Sequence, residues 1–157
     1  MLNRIIYVLL FVFVFFSCKK ENFYHHSERI PSEGWELGKS YHFEDSLKSD
    51  APEIFNLKLN LRHNPNYQYL NLWLYIRTST SDDMVRFDTV NWTIADPNGH
   101  WLGTGWGSLY SLSHTLPDLT IIDTSSTRWF KIDIQNGLKD KHLKGVEDIG
   151  VRLSTID

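Results

Sequence analysis

Beyond about residue 32 the apolar positions recur every second residue, the period of a strand with one buried face. Phe55, Leu57, Leu59 and Leu61 alternate with Asn56, Lys58, Asn60 and Arg62, and His63-Asn64-Pro65-Asn66 breaks the run. Alternation resumes from Tyr67 to Arg77, with Leu70, Leu72, Leu74 and Ile76 on one side and Tyr67, Tyr69, Asn71, Trp73 and Tyr75 on the other. These two runs are expected to pair as an antiparallel hairpin. The polar stretch Thr78–Asp83 leads to a third run in which Asp88, Val90, Trp92 and Ile94 share a face, closed by Asp96-Pro97-Asn98-Gly99. Asp first, Pro second and Gly fourth are the preferences of a type I turn, so the chain should reverse into 100–112. Leu119–Ile122, Trp129–Ile134 and Val146–Leu153 supply further strands, and Asn136–His142 is the best candidate for a helical turn. Many short strands between turn signals predict an all-β fold: an antiparallel two-sheet β-sandwich with at most one short helix, the jelly roll being one arrangement that fits.

The first residues follow a different pattern. Arg4 precedes an unbroken apolar run from Ile5 to Phe16, then the small residue Ser17 and the single cysteine, Cys18. A basic start, a short apolar core and a small residue before a cut site make an export signal. The run is too short for a comfortable span, which needs about 20 apolar residues. It resembles the lipobox of bacterial lipoproteins, in which the cysteine is acylated and becomes the new N-terminus. Two or three acyl chains, at about 0.8 kcal/mol per buried methylene, hold a protein stably on a membrane. An ordinary secretory signal with a coincidental cysteine would leave a lone thiol in an exported chain without explanation. The expected organisation is a lipoprotein signal peptide over 1–17, the lipidated Cys18 with a flexible tether over 18–31, and a β-sandwich domain over 32–157.

Removing 1–17 takes away Arg4 alone among the charges, so 16 basic and 19 acidic residues become 15 and 19, a net of −4. That mild balance speaks against nucleic acid, whose phosphates demand a clustered basic excess. With Cys18 acylated, no disulfide or thiolate metal site remains, and no cofactor is expected beyond the covalent lipid.

Several segments, taken in order, resemble one family. They are Leu61-Arg62-His63, Tyr67, Tyr69, Asn71-Leu72-Trp73, Asp88-Thr89, the stretch from Asp96 to Gly105, and Leu143-Lys144-Gly145-Val146-Glu147-Asp148-Ile149-Gly150-Val151-Arg152. Together they are similar to the H-type gliding-motility lipoproteins (GldH) of the Bacteroidota over nearly the whole chain. Two positions depart from the pattern: Thr127-Arg128 stands where a glycine is expected, and Leu138 where a methionine is. The resemblance implies a lipoprotein required for surface gliding. It would work beside the gliding and type IX secretion machinery, anchored to the outer membrane on its periplasmic or cell-surface side, with other lipoproteins or outer-membrane proteins as partners.

Residue patterns that carry chemistry are few. Gly103-Thr104-Gly105-Trp106-Gly107 lacks the spacing of a dinucleotide loop, and Ser108 lacks the second glycine of a nucleophile elbow. The small residues are expected to let the chain bend or let Trp101 and Trp106 pack closely. The 7 His are scattered, and Asp96-Pro97-Asn98-Gly99 has glycine too early for a calcium loop. No nucleophile, base and oxyanion set assembles, so the reading is a non-enzymatic accessory or scaffold. One constellation points elsewhere. Tyr67, Tyr69, Trp73 and Tyr75 on one strand face, with Trp101 and Trp106 nearby, would serve as a platform for sugar rings if exposed, or as core if buried. A glycan-binding module is therefore the alternative function. Asp45-Ser46-Leu47 and Asp88-Thr89-Val90 resemble the short sites at which Bacteroidota attach O-glycans, with Ser46 the better candidate.

Overall fold

The computed structural model of the protein describes residues 22–47, 54–81, 83–122 and 128–155. Cys18 and the export signal lie outside the described residues. Among the described residues eleven strands form: β1 (Asn22–Arg29), β2 (Trp35–Glu36), β3 (Ser40–Ser46), β4 (Ile54–His63), β5 (Asn71–Thr80), β6 (Val85–Thr93), β7 (Thr104–Trp106), β8 (Leu109–Ile122), β9 (Trp129–Asn136), β10 (His142–Leu143) and β11 (Val146–Thr155). They make a five-stranded sheet in the order β1-β11-β4-β8-β7, a four-stranded sheet in the order β3-β9-β5-β6, and a small β10-β2 ribbon. Every pairing is antiparallel.

Taking only the eight strands of seven residues or more, in chain order, the larger sheet reads first-eighth-third-sixth and the other second-seventh-fourth-fifth. Pairing first with eighth, second with seventh, third with sixth and fourth with fifth is a nested hairpin rolled into two layers, the jelly-roll winding. The fold is the all-β sandwich that the alternation predicts.

The core lies between the layers. Phe55, Leu57, Leu59 and Leu61 of β4 and Ile149, Val151 and Leu153 of β11 meet Leu72, Leu74 and Ile76 of β5 and Phe130, Ile132 and Ile134 of β9, all buried. The β10-β2 ribbon closes one end with Trp35, whose Nε1 donates to the Lys39 carbonyl at 2.8 Å and whose ring meets Tyr41 edge-on at 5.2 Å.

Four expectations are corrected. First, β4 and β5 do not form a hairpin. β4 lies between β11 and β8, β5 lies between β9 and β6, and the connection at 64–70 crosses from one sheet to the other. Alternation decides which side of a strand faces the core, but it carries no information about which neighbour completes the ladder. Second, β5 starts only at Asn71, so Tyr67 and Tyr69 precede the strand, Tyr67 turns into the core and Leu70 turns out. Third, residues 22–29 of the expected tether are β1, paired along its length with β11 from Asn22–Ser154 to Arg29–Asp148. His25, Ser27 and Arg29 are exposed, while on the other side Tyr24 sets its ring edge-on to Phe130 at 5.0 Å and His26 its ring edge-on to Phe43 at 6.1 Å. Fourth, no helix occurs among the described residues, and the chain between β9 and β10 is an irregular loop ordered by Gly137 N–H donating to the Trp73 carbonyl at 2.7 Å.

The Asp96 turn forms as expected. Gly99 N–H donates to the Asp96 carbonyl at 2.9 Å, and one carboxylate oxygen accepts from both Asn98 and His100 N–H at 2.8 Å. The reversal is brief, a single bridge between Ala95 and Trp101, after which the chain passes to the other sheet.

Candidate functional site

The segments that carry the family resemblance lie far apart in the chain, and the fold brings most of them to one end of the sandwich. On the β4–β11 ladder His63 pairs with Val146, Arg62 with Asp148, Leu61 with Ile149 and Asn60 with Gly150. Asp148 is buried and its carboxylate is held by the Arg62 guanidinium, which crosses the ladder to reach it. Burying a carboxylate is costly unless it is paired, so that bond and the register depend on each other. Next to it the Asn64 amide donates to Glu147, and Asn64 N–H donates to the Gly145 carbonyl at 2.8 Å.

Gly145 shows why the motif needs a glycine. Its φ is +84°, and a Cβ there would fall on the backbone nitrogen of Tyr67. No side chain fits, because the loop between the sheets runs directly over it. Tyr67 is thereby pressed inward, and its hydroxyl donates to the Asn71 carbonyl at 2.8 Å just as β5 begins. Burial pushes its phenol well above the ordinary range.

His63 is the centre of this end. It is fully buried, stacked on Tyr110 at 5.4 Å and 17°, edge-on to Trp101 at 4.6 Å and 5.9 Å from Tyr67. Its Nδ1 lies 3.3 Å from the Asn64 carbonyl, while Nε2 is buried with no hydrogen-bond partner among the described residues. Burial holds the imidazole below its ordinary pKa, so the ring is neutral near pH 7. Tyr69 continues the cluster, 6.0 Å from Tyr67, with its hydroxyl donating to Asp140 at 2.8 Å. A polar cleft of about 920 Å³ opens beside it, with Arg29, Asn64, Gln68, Lys144 and Glu147 on its walls.

Beyond the ring cluster the β7–β8 hairpin projects. Gly103 and Gly105 admit β8 at close range: a Cβ on Gly103 would stand 2.8 Å from the Ser111 carbonyl, and one on Gly105 2.7 Å from the Tyr110 ring. Trp106 pairs with Leu109 across a two-residue turn whose first position, Gly107, has the φ of +64° that such turns require. Trp101 and Trp106 do not pack together. Trp101 joins the cluster, and Trp106 is 96% exposed at the tip. The sequence named both residues but had no means of separating them, because the turn that throws one outward follows it.

The four rings that alternation assigned to one strand face are likewise divided. Tyr67 is buried, Tyr69 half-buried, and only Trp73 and Tyr75 stand on the outer face of the four-stranded sheet. A residue missed in the sequence joins them: Phe87, 74% exposed, opposite Arg77 on the β5–β6 ladder, with the guanidinium 5.9 Å from its ring centre. Around these rings lie Asn91, Gln135 and Asp133, the last receiving His42 at 2.6 Å and Arg77 at 3.5 Å. The period-2 pattern of β6 contained Phe87 on the outward side, opposite Val90 and Trp92. Ser46 and Thr89 are both exposed, one at the end of β3 and the other within edge strand β6.

No group of three or more metal-ligating side chains occurs among the described residues. The architecture defines a class, a jelly-roll sandwich with an aromatic-cored end and an exposed tryptophan finger. The chain belongs to the GldH lipoprotein family, whose sequence model matches residues 22–153. A gliding motility lipoprotein GldH homolog from Christiangramia forsetii is 27% identical over 97% of this chain and 96% of the relative. The gliding motility lipoprotein GldH of Flavobacterium johnsoniae is 25% identical over 96% and 95%. Among solved structures, dimeric latent PorU from Porphyromonas gingivalis aligns at TM-score 0.35 and 10% identity, over 88% of this chain but 14% of that one.

Proposed function

We propose that this gliding-motility lipoprotein is a non-enzymatic accessory of the gliding apparatus and its linked type IX secretion system, anchored through Cys18 to the outer membrane. It acts by adhesion of one protein surface to another. The anchor keeps the domain at high local concentration beside its partners, other lipoproteins or outer-membrane proteins of the same machinery. Trp106 carries this reading: a tryptophan 96% exposed at the strand end beside a two-residue hairpin turn is a rigid apolar anchor, the residue type that dominates binding hot spots. Water gains nothing from it, and the domain does not need it for packing.

A photo-crosslinking amino acid at position 106, with Lys58 as control site, tests the reading in intact cells. Adducts with another envelope protein at 106 and not at 58, together with loss of colony spreading by Trp106→Ala at normal protein level, are expected. Normal spreading by Trp106→Ala and no adduct would sink the proposal.

The outer face of the four-stranded sheet favours a second reading, glycan binding. Trp73, Tyr75 and Phe87 offer ring faces, and Asn91, Gln135 and Asp133 offer the amides and carboxylate that bind hydroxyls. Affinity electrophoresis on a polysaccharide panel separates the two: saturable retention, lost in Trp73→Ala with Tyr75→Ala while the melt stays normal, would select the glycan module.

A further inference from the structure

We infer that the end of the sandwich opposite Trp106 lies flat against the membrane that holds Cys18, with Ile54, Met84, Val85 and Trp129 in contact with the lipid headgroup region. The inference rests on the lipoprotein reading and adds an orientation and a lipid-contacting surface to it.

Chain length is the first argument. The ladder with β11 begins at Asn22, only four positions after Cys18. An extended chain covers at most about 3.6 Å per residue, so the lipidated residue lies within about 14 Å of the start of β1. β4 runs from Ile54 to His63, roughly 30 Å at the strand rise, so the ring-crowded end is out of reach of the bilayer surface whenever the near end touches it. Residues 22–29 are locked into a sheet and provide no slack.

A second set of features gathers where the chain enters. Asn22 pairs with Ser154, and Ser154 with Asn56 of β4. The Tyr24–Phe130 contact ties this edge to the start of β9, where Trp129 pairs with Ser46 and its carbonyl accepts from Ser81 N–H at 3.2 Å. The β5–β6 reversal stands beside it. That end carries Ile54 at the head of β4, Met84 and Val85 after the reversal, and Trp129. All four are exposed, Met84 by 63% and Trp129 by 38%, although the adjacent Phe55 and Phe130 are fully buried. They are contributed by three separate segments and share only their position at the near end. A tryptophan with aliphatic neighbours suits the headgroup boundary, where one side is apolar and the other wet. Lys19 and Lys20, next to the lipidated residue in sequence, complement anionic headgroups. Exposed Asp45 and Asp83 at the same end fix the depth, since carboxylates stay in headgroup water.

The test uses the full lipidated chain in vesicles of phosphatidylethanolamine and phosphatidylglycerol carrying acyl-brominated lipid. Acylation occupies Cys18, the only native cysteine, so Met84→Cys and Leu102→Cys can each be labelled singly with a fluorophore. Co-flotation with the vesicles reports the anchor; quenching by bromine reports the orientation. The label at 84 should lose most of its emission and the label at 102 almost none. Trp129→Phe, which leaves a ring in place, should remove most of the bromine-sensitive tryptophan signal, whereas Trp106→Phe should remove none. Flotation with equal quenching at 84 and 102 would overturn the orientation and leave the anchor standing. Failure of the lipidated chain to float would overturn both.

Discussion

β4 and β5 follow one another in the chain, each has ten residues, and each turns its aliphatic side chains inward. They nevertheless lie in opposite sheets, and their outward sides differ. On β4 the outward residues are Asn56, Lys58, Asn60 and Arg62, tied down by polar pairs across the ladder: Arg62 to Asp148, and Asn60 to the Ser113 hydroxyl at 2.7 Å. On β5 they are Trp73, Tyr75 and Arg77, which face solvent beside Phe87. The inward halves are interchangeable in chemistry because both fill the same apolar slab. The outward halves are not required by the fold, so there the two strands reveal separate tasks, a hydrogen-bonded wall on one side and a sticky face on the other.

Breaking the inward equivalence has the largest effect. Leu59→Asp and Leu74→Asp each place a carboxylate without a partner in the core and should each cost about 4 kcal/mol or more, against a total of roughly 5–15 for a domain. Lys58→Asp and Tyr75→Ser, one position along, should stay within about 1 kcal/mol. Urea unfolding of the four variants decides it: if Lys58→Asp falls with Leu59→Asp, β4 is displaced by one residue from the register described.

The segment that joins the two strands sharpens the comparison. It carries Tyr67 from one sheet to the other over Gly145, where a methyl group has no room and φ is +84°. Gly145→Ala should cost about 3 kcal/mol, since strain and a backbone overlap must both be relieved. Gly107→Ala, with positive φ but nothing within 4 Å, should cost only about 1 kcal/mol. Near-ultraviolet circular dichroism adds a local check, because only the first should disturb Tyr67 and Trp101. Equal losses would mean that the crossing segment is not clamped there.

That crossing also marks where the sequence stopped being legible. Alternation placed Leu59 and Leu74 in the core, and the Asp96 turn could be read from its residues alone, because both are set by neighbours in the chain. The partner of β4 was not, since its ladder with β11 joins residues more than 80 positions apart, as in Arg62 with Asp148. Sequential strands usually pair, and that tendency suggested a hairpin where the jelly roll changes layer. The polar composition of 22–29 concealed β1 for a related reason: an edge strand with one wet face has few apolar residues to display. Trp106 and Phe87 were visible as aromatic residues but not as exposed ones, since exposure depends on which strands cover them.

The smallest effect concerns the last residue of β4, where the inward series of Phe55, Leu57, Leu59 and Leu61 ends in His63 instead of another aliphatic residue. Burial among Tyr110, Trp101 and Tyr67 holds its pKa below the usual 6.5. As pH falls through 6.5 the unfolded chain takes up a proton that the folded ring does not, so this contribution to stability is complete above that pH and declines below it. His63→Phe keeps a ring in the cluster and removes the titration. Melting temperatures of the two proteins should therefore run parallel from pH 8 to about 7 and diverge toward pH 5, with the parent losing more. Since β5 ends its inward series in Thr78 and Thr80, neither of which titrates in this range, no equivalent slope is expected from that strand. Parallel curves across the whole range would show that the imidazole accepts its proton without disturbing the rings, and that β4 and β5 are alike on the inside to their last residue.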